Sequence, residues 1–251
     1  MNYYIVTGAS KGLGEAIVRE LFKEENTIIG ISRTINKQLV DDANNNAVPF
    51  YSEMCDLADE KTITKLMNRV FSFIDENKAE SVTLIQNAGV IDPIKPVGKM
   101  DEQELIQNVH VNLLAPMIIS NQFVQKFQSY KGKKVIVHIT SGAANRTVHG
   151  WSSYCSTKAG LDMFTKTFAF EQYKESYPVK VISFSPGVMD TDMQKVIRSS
   201  SEEDFQDLKT FQKYFENGML RSPDLIASKL IELLNSNFES GKIYNIKEML
   251  P

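Results

Sequence analysis

The sequence predicts a single doubly wound α/β domain, a parallel sheet of about seven strands with helices on both faces. Three observations predict it. Short apolar runs alternate with longer amphipathic stretches from the first residues almost to the last. The runs are rich in Val and Ile through their middles, as strands buried on both faces are. No Pro- or Ser-rich linker divides the 251 residues, so one domain is expected over 1–251.

Taken in order, residues 3–7 read as the first strand and 13–23 as an amphipathic helix. Residues 27–31 form the second strand, and 47–51, after the polar tip Asn44-Asn45-Asn46, the third. Helical periodicity covers 61–76, 102–130 and 153–175, separating strands at 82–86, 134–140 and 180–185. Each strand–helix–strand unit implies a right-handed crossover. Residues 190–222 break the alternation before a last strand at 242–246. Within them, Ser199-Ser200-Ser201-Glu202-Glu203-Asp204 reads as a helix start, since carboxylates favour the positive end of the helix dipole. The segment is long for a connection. A helical insertion covering substrate over the sheet's C-terminal edge is therefore expected at 190–222.

Composition narrows the function. With 28 basic against 31 acidic residues and a net charge of −3, the chain is a poor nucleic-acid binder. Ordinary hydrophobic and charged fractions, 42% and 24%, argue against disorder. Two cysteines, Cys55 and Cys155, with no neighbouring histidines at ligand spacing, argue against a disulfide framework and a metal site. There is no basic, apolar leader and no apolar stretch long enough to span a membrane, so a reducing cytoplasm is expected.

After the first strand comes Thr7-Gly8-Ala9-Ser10-Lys11-Gly12-Leu13-Gly14, at the start of the first helix. Glycines there let the backbone approach a pyrophosphate, and the helix N-terminus offers it free N–H groups. The spacing G-x-x-x-G-x-G differs from the G-x-G-x-x-G fingerprint. The second strand ends in Arg33 where a carboxylate would bond a ribose 2′-hydroxyl, and Lys11 adds a second cation. Two cations without a carboxylate favour a 2′-phosphate, hence NADP(H) over NAD(H).

Taken together with later motifs, the chain resembles the short-chain dehydrogenase/reductase family over essentially its whole length. Gly8, Ser10, Lys11, Gly12, Leu13 and Gly14 lie in its cofactor motif, and Asp56-Leu57 falls where the family places an acid against adenine. Asn87-Ala88-Gly89 resembles its N-A-G signature, and Asn112, Ser141, Tyr154 and Lys158 its catalytic set. Pro186, Gly187, Val188 and Thr191 match the segment that contacts the nicotinamide end. The resemblance implies a Rossmann-type fold, a dinucleotide cofactor and, through two long amphipathic helices, a homodimer. Residues 185–194 and 240–245 are similar to the sepiapterin reductase-like subgroup, which includes bacterial reductases of aromatic diketones such as benzil. The aspartate that anchors pterins there falls at Asn245, which carries no charge.

Tyr154 and Lys158 share one face of a predicted helix, where an ammonium favours phenolate and brings the phenol nearer to proton exchange at neutral pH. Ser141 would hydrogen-bond the substrate oxygen as charge develops. The family gives Lys158 a second role on the nicotinamide ribose, and gives Asn112 a water that relays protons through that lysine. Residues 143–151 are expected to border the pocket, with His149 and Trp151 lining it. Met189, Met193, Phe205, Phe211, Tyr214, Phe215 and Met219 would make an adaptable apolar cover for a bulky aromatic ketone. The reading is an NADPH-dependent carbonyl reductase of a small molecule. Alternatives are a pterin side-chain reductase, an NAD-dependent secondary-alcohol dehydrogenase, and a non-enzymatic NADP(H)-sensing module.

Overall fold

Apolar alternation on the strands decides how the chain stacks. In the computed structural model, which describes residues 1–250, Val6, Ile28, Ile85 and Val137 point to one side of a sheet. Ile5, Ile29, Leu84 and Ile136 point to the other. The strands are β1 (Asn2–Thr7), β2 (Asn26–Ser32), β3 (Phe50–Met54), β4 (Ser81–Gln86), β5 (Lys133–Ile139), β6 (Lys180–Ser185) and β7 (Ile243–Asn245). They form one seven-stranded sheet in the order β3-β2-β1-β4-β5-β6-β7, with every pairing parallel. The chain starts at the centre, builds one way to β3, then crosses to β4 and builds the other way. The order reverses between β1 and β4, and ligands of such sheets bind outside the strand ends at that crevice.

Helices cover both faces. On the first lie α1 (Gly12–Glu20) and α9 (Pro223–Leu234), packing Ile17, Val18, Leu230 and Ile231 into the core. On the second, α3 (Glu60–Ser72), α5 (Ala115–Phe127) and α6 (Ser152–Gln172) bring in Leu66, Met67, Phe123, Phe127 and Phe168. The edge segments are α2 (Lys37–Asn45), α4 (Glu102–Val109), α7 (Asp192–Arg198) and α8 (Leu208–Glu216). The Lys134 ammonium, 2% exposed, ends α5 by donating to the carbonyls of Phe127, Gln128, Tyr130 and Tyr177.

Four expectations are corrected. The third strand begins at Phe50, because the N–H groups of Ala47 and Val48 bond back to Asn44 and Ala43 and close α2. The helix expected over 102–130 is interrupted by a π-turn, His110–Leu114. Pro116 has no N–H for the carbonyl four residues back, that of Asn112, and a wider turn accommodates the loss. No helix starts at the serine–acid run. Its residues form turns before Leu208, with Asp204, Glu203 and Glu202 paired to Lys95, Lys99 and Lys209. The helices α2 and α9 were not anticipated.

Candidate active site

The glycine turn is shaped by positions where only glycine fits. Gly8 and Gly12 have φ of 68° and 56°, in the left-handed region. A Cβ on Gly14 would lie 2.0 Å from the Gly8 carbonyl oxygen, so the absent side chain is what lets α1 start against the turn. Across the β1–β4 crevice, Asn87 donates its side-chain amide to the carbonyls of Thr7 (3.0 Å) and Gly8 (3.2 Å). The Thr7 hydroxyl accepts from the N–H groups of Asn87 and Ala88, each at 3.0 Å. Lys11, at the N-cap of α1, gives no side-chain cap, so the first N–H groups of that helix keep no protein acceptor from it.

These elements open into one cavity of about 780 Å³. Its wall includes Gly8, Ser10, Lys11, Gly12, Leu13, Arg33, Asp56, Leu57, Asn87, Ala88, Gly89, Pro186, Gly187, Val188 and Thr191. The same wall continues through Ser141, Tyr154 and Lys158 to Trp151, Met189 and Met193. Gly14 and Asn112 do not line it. Asn112 is fully buried, donating to the Val90 carbonyl (2.8 Å) and to Asn108 (3.0 Å) and accepting from the Val90 N–H (2.9 Å). Its amide therefore clamps the chain after the N-A-G segment. His149, Phe215 and Met219 are exposed and outside the wall, and Phe205 is buried behind it.

A dinucleotide fits this wall on three counts: the side-chain-free turn, the uncapped start of α1, and the cations at one end. Arg33 has no ion-pair partner among the described residues, whereas Lys11 pairs with Asp192 at 3.1 Å.

Ser141 follows β5, and its hydroxyl oxygen accepts from the Ala143 N–H at 3.2 Å, leaving its own O–H to donate elsewhere. Tyr154 and Lys158 lie on the buried face of α6, 7% and 4% exposed, with the ammonium 5.7 Å from the phenol ring centre. Lys158 donates to the Ile139 carbonyl at 2.9 Å. Burial pushes the Tyr154 phenol up to about 12, with the neighbouring Ser141 hydroxyl pulling the other way. Burial brings Lys158 down to about 8, against the pull of Asp162. Burial is the largest influence on the phenol, which holds its proton at neutral pH.

One part of the wall is apolar, with Ile91, Ile197, Phe211 and Tyr214 joining Trp151 and Met193. Arg146 lines the cavity within the 143–151 segment expected to border it, while sequence reasoning missed Ile91, Gln194, Ile197 and Lys247, which also line it. Gln194 and Ile197 had one legible signal, their spacing of three and six residues beyond Thr191 in a segment already tied to the site.

The chain was compared with known proteins. Residues 2–202 match the short chain dehydrogenase family. A benzil reductase ((S)-benzoin forming) of Bacillus subtilis is 47% identical over 250 residues, covering 100% of both chains. One from Bacillus cereus is 41% identical, covering 99% of this chain and 100% of its own. Among solved structures, the KRED1-Pglu enzyme superposes with a TM-score of 0.83 at 27% identity, covering 97% of this chain and 100% of its own. With the parallel sheet, the glycine turn and the Ser–Tyr–Lys cluster already in place, the chain belongs to the short chain dehydrogenase family, as an oxidoreductase acting at C=O/CH–OH.

Proposed function

We propose that this protein is an NADPH-dependent reductase of bulky aromatic ketones, with vicinal diketones such as benzil as substrates and a hydroxyketone as product. One observation carries the reading. Tyr154, Ser141 and Lys158 lie in the wall of an apolar cavity that runs unbroken into the glycine turn. The names and near-complete coverage of the Bacillus relatives support the diketone.

When bound, the nicotinamide supplies the hydride for the carbonyl carbon. The chain's own residues do the rest. Ser141 donates a hydrogen bond to the carbonyl oxygen and stabilises charge growing there. Tyr154, protonated at rest, gives its proton to that oxygen, which becomes the alcohol. Lys158 stabilises the phenolate left behind. Gly8, Ser10, Gly12 and the start of α1 hold the pyrophosphate, and Arg33 the 2′-phosphate. Leu13, Asp56, Leu57, Ala88 and Gly89 border the adenosine half, and Pro186, Gly187, Val188 and Thr191 the nicotinamide half. Trp151, Met189 and Met193 contact the aromatic rings.

The Asn245 side chain lines the cavity, and its Oδ1 accepts from the Lys247 N–H at 3.0 Å. It therefore presents a donor where pterin recognition needs an anion, which favours the diketone. Exposed Met163 and Phe170 on α6 and Tyr173 just past its end, with Ile106 of α4 and Met117 of α5, support a homodimer. No described helix is long and apolar enough to cross a membrane, and both cysteines are free; these support a cytoplasmic enzyme.

The test follows the near-ultraviolet absorbance of NADPH with benzil and with sepiapterin. Rapid oxidation with benzil and little with sepiapterin is expected, and the reverse result overturns the reading. Tyr154→Phe should abolish turnover while the affinity for NADPH stays within about twofold.

A further inference from the structure

Gln194 stands in the first turn of α7, 2% exposed and in the wall of the active-site cavity. Neither its Oε1 nor its Nε2 has a hydrogen-bond partner. A buried primary amide left with both ends unmet is costly, and proteins rarely keep one without a ligand, water or ion to satisfy it.

Its neighbours place it on the substrate side. Gln194 and Ile197, three residues apart, share the inward face of α7. Ile197 packs in the apolar cluster that holds Tyr154, Trp151, Ala143 and Phe211. The cofactor side of the same turn is served by Thr191, whose methyl lies 3.4 Å from where a Cβ on Gly12 would stand, and by Asp192, paired to Lys11. The apolar cluster that Ile197 joins also lines the cavity, through Ile91, Trp151, Met193 and Phe211. A group that reaches this amide through such walls must be carried on an apolar molecule and must bring its own hydrogen-bonding atom.

We propose that Gln194 is the residue that selects vicinal dicarbonyl compounds, its Nε2–H donating to the second, unreduced carbonyl oxygen while Ser141 and Tyr154 serve the first. This rests on the ketone-reductase reading above and adds the recognition of the second oxygen. The second oxygen of a 1,2-diketone persists in the hydroxyketone product, so the contact binds and orients. It contributes no proton, and Gln194 is a specificity residue. A ketone of the same shape without that oxygen leaves the amide unmet, and a site built to hydrogen-bond a group discriminates against the analogue lacking it.

The experiment compares benzil with deoxybenzoin, which has the same two phenyl rings and one carbonyl, in the wild-type enzyme, Gln194→Leu and Gln194→Met. The expected result is a fall of about tenfold or more in kcat/KM for benzil in both variants, most of it in KM. Deoxybenzoin kinetics and the Kd for NADPH should stay unchanged. An equal fall for the two ketones would mean that the amide only supports the fold, and would overturn the proposal. A weaker NADPH complex would overturn it too, because the amide would then belong to the cofactor. Should the wild-type enzyme not reduce benzil at all, the parent reading fails and takes this one with it. That outcome is distinguishable, since it is seen before any variant is made. The Met variant, matched to Gln in length, keeps the test decisive where the Leu variant folds poorly.

Discussion

Trp151 and Phe205 stack with their ring planes 7° apart and centroids 5.0 Å from each other. Phe211 meets both edge-on, at 5.4 and 5.3 Å. The contact joins the segment after β5 to the 190–222 insertion, and Gly150 allows it: a Cβ there would lie 2.1 Å from the Asp204 carbonyl oxygen. Three ion pairs, Lys95–Asp204, Lys99–Glu203 and Arg146–Asp207, are partly exposed and contribute little beside it. The aromatic stack therefore holds the insertion against the segment after β5. Phe205→Ala should cost about 3 kcal/mol in denaturant unfolding and raise KM for the ketone severalfold. NADPH affinity should not change. If cofactor and substrate affinities fall together, the stack is supporting the whole cleft and the assignment to the cover is wrong.

The two buried titrating groups of the cluster set a direction for the pH profile. Lys158, at about 8, gives up its proton well before Tyr154, at about 12. As pH rises, the phenol stays available as an acid but loses the cation that stabilises its conjugate base. Reductive kcat/KM should therefore decline above about pH 8. Asp162, four residues on along α6 and 4% exposed, is the group that raises Lys158. Asp162→Asn removes that carboxylate, so the alkaline limb should move toward lower pH. A limb that stays put in this variant would show that the profile reports some other group.

Much of this was legible because parallel strands buried on both faces announce themselves as apolar runs, and because the glycine turn has few sterically allowed alternatives. Gly14 shows why: its missing side chain is demanded by the backbone carbonyl oxygen of Gly8. What was not legible depends on contacts between distant segments. The π-turn at His110–Leu114 reflects one missing N–H at Pro116, which periodicity averages away. The serine–acid run satisfied every local rule for a helix start, yet its carboxylates are drawn to lysines about a hundred residues earlier. Lys11 looked as free as Arg33 until Asp192 was brought beside it by the fold. The phenol's raised pKa follows from burial, which a helix spacing does not contain.

That difference between the two cations sharpens the cofactor prediction. Lys11 already spends its charge on Asp192, while Arg33, at the end of the second strand, has no ion-pair partner among the described residues and lines the cavity. Arg33 should then carry most of the selection for a phosphorylated ribose. Arg33→Ala is expected to weaken NADPH by about tenfold to a hundredfold, the loss of a charge-assisted pair, and to leave NADH nearly unchanged. Lys11→Ala should do far less. Equal losses for the two cofactors in Arg33→Ala would remove the basis for choosing NADP(H).

Behind the active site, His138 is fully buried in a polar chain that the chemistry does not touch. Its Nδ1 lies 2.7 Å from the Thr165 hydroxyl, which donates to the Leu161 carbonyl, and its Nε2 lies 3.2 Å from Ser120. With the Thr165 proton committed, Nδ1 is the donor and Nε2 the acceptor, so the ring is held neutral. Burial first, and the Lys158 charge second, push its pKa down from 6.5 to about 3. The unfolded chain takes up a proton there below 6.5 and the folded one does not until about 3, so stability present above 6.5 drains away as pH falls between those values. The loss is about 1.4 kcal/mol per pH unit, or roughly 2 kcal/mol on going from pH 7 to pH 5. His138→Gln keeps polar contacts but cannot be protonated. Its stability gap from the wild type in urea should accordingly narrow by about 2 kcal/mol over that interval. A gap that does not change with pH would show that the histidine is already charged in the fold, and that the chain from Ser120 through His138 to Thr165 is not neutral.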